Sequence, residues 1–176
     1  MRDEFLDLAK SLNLDHKYGS IESTDIDLAL IDRQEKICIV MELKWFIYPA
    51  DIRECHDRSK ELSKGVQQAL KIQNAYKKSN KKLIESVLNI DTTYNFITIV
   101  VSKNWIGHFD IQNPEVPIIK ASDLIEKIKS FKSLQKTAEW LKERAYLPKY
   151  GKDFKIITVD IELGGWHSNW YGVKPI

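Results

Sequence analysis

Cysteine is scarce in this chain, and long apolar runs are absent. The two cysteines, Cys38 and Cys55, are too few for a disulfide framework, and Cys38 lies in an apolar run as a small buried residue would. No run approaches the roughly 20 apolar residues that a membrane span needs. The N-terminus opens with Arg2, Asp3 and Glu4, unlike a signal peptide. We therefore expect a cytoplasmic protein without a membrane segment.

The motifs of several common enzyme classes are also missing. There is no Gly-x-Ser-x-Gly motif, no P-loop and no glycine-rich turn, which argues against serine hydrolases and nucleotide-binding enzymes. His56, His108 and His167 are isolated and lack the spacing of a zinc hydrolase. The Cys55–His56 pair also lacks the second half of a structural zinc site. Candidate chemistry therefore rests on other residue types.

Charge of neither sign dominates. Lys and Arg number 27 against 25 Asp and Glu, and the net charge of +2 is too mild to indicate nucleic-acid binding by itself, although it allows a local basic patch. A length of 176 residues fits one domain with a buried core. We treat residues 1–176 as a single domain, with its core at about 3–102 and C-terminal decoration at about 103–176.

Apolar periodicity predicts helices and strands along the whole chain. Predicted helices cover residues 3–13, 58–78, a segment with a cap-like start at Ser122, and 133–145; predicted strands cover 26–31, 37–41, 95–101, 116–119 and 154–161. Residues 17–24 are a turn or short strand, 45–58 are a mixed segment broken by Pro49, and the tail 164–172 is a loop. This order predicts an α/β fold with a central mixed β-sheet flanked by helices and extra C-terminal helices and a strand.

One group of charged residues stands at the end of a predicted buried strand. Glu42 and Lys44 are two residues apart, so their side chains point to the same face. Ending a buried strand in this way costs free energy unless some partner satisfies the charges, and a metal ion and a phosphate would do so. A short connection at 32–36 places Asp27 of the preceding strand opposite them. Asp27 and Glu42 would hold Mg²⁺ or Mn²⁺, and Lys44 would orient or activate the attacking water.

Simpler interpretations of these residues stay open. Glu42 and Lys44 can form an exposed ion pair, and Asp27 can satisfy a turn at the start of its strand. Asp25 shares a face with Asp27 by the period of two, so it is an alternative ligand.

The segments Ser23–Ile31 (STDIDLALI) and Ile39–Lys44 (IVMELK) resemble the Asp…Glu-x-Lys signature of the PD-(D/E)XK, or restriction-endonuclease-like, superfamily. The resemblance covers about residues 3–102. It implies an αβββαβ core, metal-dependent cleavage of nucleic acid, and Asp27, Glu42 and Lys44 as the catalytic residues. The proline of the family's name is missing, because Thr24 and Ile26 stand beside the two aspartates.

The resemblance also implies two accessory positions. Several members carry a glutamine on the helix after Glu-x-Lys, for which Gln67, Gln68 and Gln73 are candidates. The context Gly65–Ala69 favours Gln68 as a catalytic residue, whereas the helical wheel places Gln73 nearer the apolar stripe. Some members add an acidic residue from the first helix. Glu4 flanks the apolar face of that helix, whereas Asp3 and Asp7 are expected to be solvated, so Glu4 is the better candidate.

These observations predict a Mg²⁺- or Mn²⁺-dependent nuclease, with DNA favoured over RNA as its substrate. Trp45, Lys64 and Lys71 are the residues expected to contact nucleic acid. Trp45, Phe46 and Tyr48 follow the motif and can stack on bases or pack in the core. The alternative is a catalytically silent nucleic-acid-binding or protein-interaction module, and association into a homodimer or with a partner subunit stays open.

Overall fold

A computed structural model describes residues 1–21, 24–78, 81–104 and 115–176. Ser23 of the motif and His108 lie outside the described residues. The chain divides into two compact units, Met1–Glu143 and Arg144–Ile176, whereas the sequence predicts a single domain over 1–176.

The first unit contains both helices and strands, and the second contains a β-hairpin. The helices are α1 (Arg2–Ser11), α2 (Ile52–Lys78), α3 (Lys81–Leu88), α4 (Ala121–Phe131) and α5 (Leu134–Lys142). The strands are β1 (Asp15–Ile21), β2 (Thr24–Asp32), β3 (Ile37–Lys44), β4 (Asn95–Ser102), β5 (Ile118–Lys120), β6 (Phe154–Leu163) and β7 (Trp166–Pro175).

The first unit is built on a five-stranded mixed sheet with the order β1-β2-β3-β4-β5. Neighbours from β1 to β3 are antiparallel, and β3, β4 and β5 are parallel. Parallel neighbours need a crossover connection, which α2 and α3 supply between β3 and β4. The predicted α/β class with a central mixed sheet flanked by helices is confirmed.

Strand β3 is buried on both faces, as its unbroken apolar run predicts. Residues 37–41 are at most 1% exposed. Cys38 and Val40 pack with Ile72 of α2 and with α3, and α5 packs against the strand as well. Burial raises the pKa of the Cys38 thiol to about 12, so this cysteine stays protonated and unreactive.

Two helical predictions in the first unit were incomplete. Helix α2 begins at Ile52 rather than Arg58, because two side chains at its start accept hydrogen bonds from backbone N–H groups: Asp51 accepts from the Glu54 N–H at 2.8 Å, and Glu54 accepts from the Ala50 N–H at 2.9 Å. Helix α3 was missed. Its Ile84 and Leu88 are fully buried four residues apart, which is the spacing of one helical face.

The predicted cap at Ser122 is wrong. Helix α4 starts at Ala121, and its N-cap residue Lys120 makes no side-chain capping hydrogen bond. The Ser122 hydroxyl donates instead to its neighbour Asp123 at 2.8 Å. At the next helix, Ser133 does cap α5 by accepting from the Lys136 N–H.

The prediction that the tail 164–172 is a loop is wrong. Residues 166–175 form strand β7, paired antiparallel with β6 over their whole length. Gly164 and Gly165 connect the two strands with φ values of 59° and 82°. Such a two-residue turn matches the twist of a hairpin and favours glycine at both positions. The aromatic residues of the tail are therefore strand residues, and Trp166 is 82% exposed.

Within the described ranges, no helix combines the length and the apolar character that crossing a membrane requires.

Candidate functional site

The ends of β2 and β3 bring the predicted charged residues together. The antiparallel register pairs Leu28 with Met41, so Asp27 lies next to the position of Glu42. The Leu43 N–H donates to Asp27 Oδ2 at 2.8 Å. Asp27 is therefore fixed against the backbone of the neighbouring strand by a hydrogen bond that closes this end of the β2–β3 pair.

Lys44 lies between an acid of its own strand and an amide of helix α2. Its Nζ is 3.0 Å from Glu42 Oε1 and donates to Gln68 Oε1 at 2.9 Å. Glu42 and Lys44 are on the face of β3 that carries Cys38 and Val40, which is the face covered by α2. The ammonium is thus held by two acceptors, with its side chain 17% exposed.

Glu42 is a buried acid, only 4% exposed. Burial raises its pKa above the ordinary value, and the hydrogen bond from Lys44 opposes this rise. The negative charge of Asp27 raises the pKa further, and Asp25 contributes least. The Lys44 ammonium therefore compensates the Glu42 carboxylate only in part, and an added positive charge at this place would stabilise the ionised form.

Gly65 of α2 makes room for the lysine, a role that the sequence analysis missed. A Cβ atom at Gly65 would lie 2.8 Å from Lys44 Cε and 3.3 Å from Val100 Cγ1. Any side chain here would displace the lysine, so the helix and the lysine pack against each other only because residue 65 is glycine. A glycine in the middle of a long helix, three residues before Gln68, is the signal in the sequence.

The structure separates the three candidate glutamines. Gln68 binds Lys44, whereas Gln67 is exposed. Gln73 accepts from the Thr98 hydroxyl of β4 at 3.4 Å, away from the strand ends. The sequence context favoured the glutamine that contacts Lys44, and the helical wheel favoured one that packs on the sheet.

Glu4 is engaged elsewhere. Its carboxylate lies 2.6 Å from Lys103 Nζ, and its pKa is lowered mainly by that hydrogen bond. Lys103 follows β4, and its N–H donates to the Lys44 carbonyl at 3.0 Å. Glu4 is therefore near this end of the sheet, but its charge is neutralised by Lys103.

The residues expected to contact nucleic acid are all at the surface of the first unit. Trp45 and Tyr48 are each 66% exposed, whereas Phe46 is buried among Leu62 and Val66 of α2. Lys64 and Lys71 are exposed on α2, and Lys64 Nζ is 2.6 Å from Glu61 Oε1. The aromatic residues after the motif therefore split into a core anchor and two exposed rings.

The acidic residues fit a cation held by few protein ligands. In the described part of the chain, no three His, Cys, Asp or Glu residues are grouped closely enough to hold a metal ion by themselves. Asp27 and Glu42 supply two carboxylates, and their mutual repulsion is what a cation relieves. Mg²⁺ commonly binds through one or two carboxylates and keeps several waters, so this pair fits it.

No family model matches this chain, and no significant match was found to a curated protein or a solved structure.

Proposed function

We propose that the chain is a metal-dependent nuclease of the restriction-endonuclease-like type that hydrolyses phosphodiester bonds of DNA. The observation that carries this proposal is the Lys44 ammonium, bound to both Glu42 and Gln68, at a strand end shared with Asp27. The order α1-β1-β2-β3-α2, followed by β4 parallel to β3, supports it because it agrees with the αβββαβ core that the resemblance implies.

Each residue of the site has a distinct role in this proposal. Asp27 and Glu42 would hold Mg²⁺ or Mn²⁺, which when bound supplies charge to polarise the phosphate and acidify a water. Lys44 orients the attacking water and offsets negative charge that develops on the phosphate oxygens. Gln68 fixes the lysine side chain so that its ammonium is in place before the substrate arrives.

The function is tested by offering the full chain single-stranded and double-stranded DNA and RNA, with Mg²⁺, with Mn²⁺ and with excess chelator. We expect cleavage of DNA with either metal, no cleavage with chelator, and recovery when the metal is restored. The cleaving activity must co-elute with the chain on size exclusion. Salt-sensitive binding without cleavage in any metal would favour the silent binding module, and the absence of both would remove the nucleic-acid assignment.

Replacing Gly65 with alanine is expected to separate stability from activity. Alanine is favoured over glycine in a helix by about 1 kcal/mol, which offsets part of the stability lost when Lys44 moves away from the buried Glu42, so the thermal midpoint should change much less than the rate. The new Cβ pushes Lys44 Cε, which lies 2.8 Å from that position, away from Glu42 and Gln68. A misplacement of about 1 Å can lower a rate by about 100-fold. Steady-state cleavage rates and thermal unfolding of the same preparations measure both effects.

The matched control for this variant is Gln67→Ala, an exposed position on the same helix. Its cleavage rate should stay within a factor of about two of the parent. An unchanged rate in Gly65→Ala would show that the position of Lys44 does not limit cleavage.

A further inference from the structure

One face of α2 points toward the ends of β2 and β3, where the candidate site lies. Gly65 and Gln68 on this face both contact Lys44. Residues three, four and seven apart share a helical face, so Glu61 and Arg58 continue the same stripe toward the helix N-terminus. Arg58 comes two turns before Gly65, about 10 Å away along the axis.

Arg58 therefore lies beyond the end of β3. Strands β3 and β4 are parallel, so the helix between them runs back antiparallel to β3. Gly65 is over Lys44, the last residue of the strand, and the turns before Gly65 extend past it. The turn that carries Arg58 therefore extends past the strand end at which Asp27, Glu42 and Lys44 meet.

The guanidinium of Arg58 has an unsatisfied donor. Its Nε atom is buried and has no hydrogen-bond partner among the residues that the structure describes. A buried, charged donor without a partner costs free energy in the isolated protein. Such a group is expected where a ligand completes the hydrogen bonds.

The nearest acid on the stripe does not neutralise Arg58. Glu61 is paired with Lys64 at 2.6 Å. The pKa of Glu61 is lowered mainly by this hydrogen bond, and the charges of Lys44 and Arg58 lower it further. The charges of Lys44 and Arg58 therefore both reach Glu61, whose carboxylate is bound to Lys64.

We propose that Arg58 binds a phosphate of the substrate strand that flanks the scissile one. A planar guanidinium matches phosphate oxygens in geometry and charge, and a polynucleotide carries a second phosphate next to the one that Lys44 would face. The inference rests on the proposed nuclease function. It adds that the site takes a polymer and recognises its backbone at a second point.

The test compares two phosphodiesters. A DNA oligonucleotide has flanking phosphates, whereas bis(p-nitrophenyl) phosphate has none. For Arg58→Ala we expect KM for the oligonucleotide to rise about tenfold with kcat within threefold, and unchanged hydrolysis of the small substrate. Oligonucleotide binding is also measured with a divalent cation that does not support cleavage. In this assay the slope of log binding constant against log salt concentration should be smaller in magnitude by about 0.7–0.9 for Arg58→Ala than for the parent. Arg58→Lys should recover part of the affinity.

The control is Lys60→Ala, which removes a positive charge from the opposite side of the same helix, where Lys60 Nζ is exposed and pairs with Asp57. This variant should keep KM and the salt slope. If Arg58→Ala behaves like it, or loses equal activity on both substrates, the inference is overturned while the nuclease proposal stands. If the parent cleaves neither substrate, the nuclease proposal fails, and an unaltered salt slope in the binding assay then overturns the role of Arg58 as well.

Stability gives an independent readout. If Arg58 awaits a ligand, Arg58→Met should raise the thermal midpoint of the free protein by about 2–4 °C, because it removes a buried charged donor without a partner. A residue whose role is structural would lower the midpoint when replaced. A fall in Arg58→Met would therefore overturn the inference even if binding also weakens.

Discussion

Replacing Asp27 with asparagine is expected to lower metal-dependent cleavage by about 1000-fold without loss of stability. Asparagine keeps the size of the side chain and an oxygen that can accept the Leu43 N–H, which now donates to Asp27 at 2.8 Å. It removes one of two anionic ligands for the cation, whose contribution to catalysis is several kcal/mol, and each 1.36 kcal/mol is a factor of ten. Initial rates over a Mg²⁺ titration measure the loss.

The stability of this variant should stay equal to the parent or rise. Apart from burial, the charge of Asp27 is one of the causes that raise the pKa of Glu42, so neutralising it relieves repulsion in the metal-free protein. Thermal unfolding in chelator checks the direction. A large fall in the midpoint would mean that lost folding, rather than lost metal binding, explains the lost rate.

Asp25→Asn is the matched control, because Asp25 is exposed on the same strand and acts least on Glu42. We expect its cleavage rate to stay within about threefold of the parent. The reverse order of effects would make Asp25 the ligand instead, and equal rates in both variants and the parent would remove the metal assignment from β2.

The strand-end group is predictable from the sequence because it depends on short-range rules. Residues two apart in a strand share a face, so the side chains of Glu42 and Lys44 are neighbours independently of the tertiary fold. A short connection fixes which residue of β2 lies beside them, since a hairpin of given length has one register. Asp27 was thereby placed without knowledge of any tertiary contact.

The residue that helix α2 contributes to the site could be assigned only from the fold. A helix of 27 residues can offer many side chains to a sheet, and its position along β3 is set by packing. The helical wheel identified the buried side of α2, where Gln73 meets Thr98 of β4. Gln68 lies at the margin of that side, and it reaches Lys44 because Gly65 allows the close approach.

Helix α3 and strand β7, which the sequence analysis missed, have local sequence patterns of a helix and a hairpin, but the surrounding polar residues made these patterns hard to recognise. In α3, Leu83, Ile84, Val87 and Leu88 are spaced as a helical face, but the helix has only eight residues and follows a run of lysines. In the C-terminal unit, Gly164 and Gly165 mark a hairpin turn. The polar residues around Trp166 and Trp170 masked the alternation, because β7 is exposed along its length rather than half-buried.

Replacing Glu42 with glutamine should also lower cleavage by about 1000-fold, because it removes the other carboxylate ligand. In this case the fold should become more stable in chelator at neutral pH. Burial holds the pKa of Glu42 above its ordinary value of 4.5 despite the nearby Lys44, so the ionised acid destabilises the metal-free protein. Glu126→Gln, at an exposed acid of α4, is the control and should change neither property by much.

The pH dependence distinguishes this cause from a change in packing. Below pH 4.5 Glu42 is protonated in both the folded and the unfolded chain, so parent and variant should unfold with similar free energies. As pH rises from there to the raised pKa, the unfolded chain releases the proton first, and the parent loses stability that Glu42→Gln keeps. Above the raised pKa the difference is constant. Added Mg²⁺ should close the gap by stabilising the parent alone, since only the parent retains both ligands. If Glu42→Gln is more stable than the parent by the same amount at every pH, its stability comes from packing. The ionised Glu42 carboxylate would then not destabilise the metal-free protein.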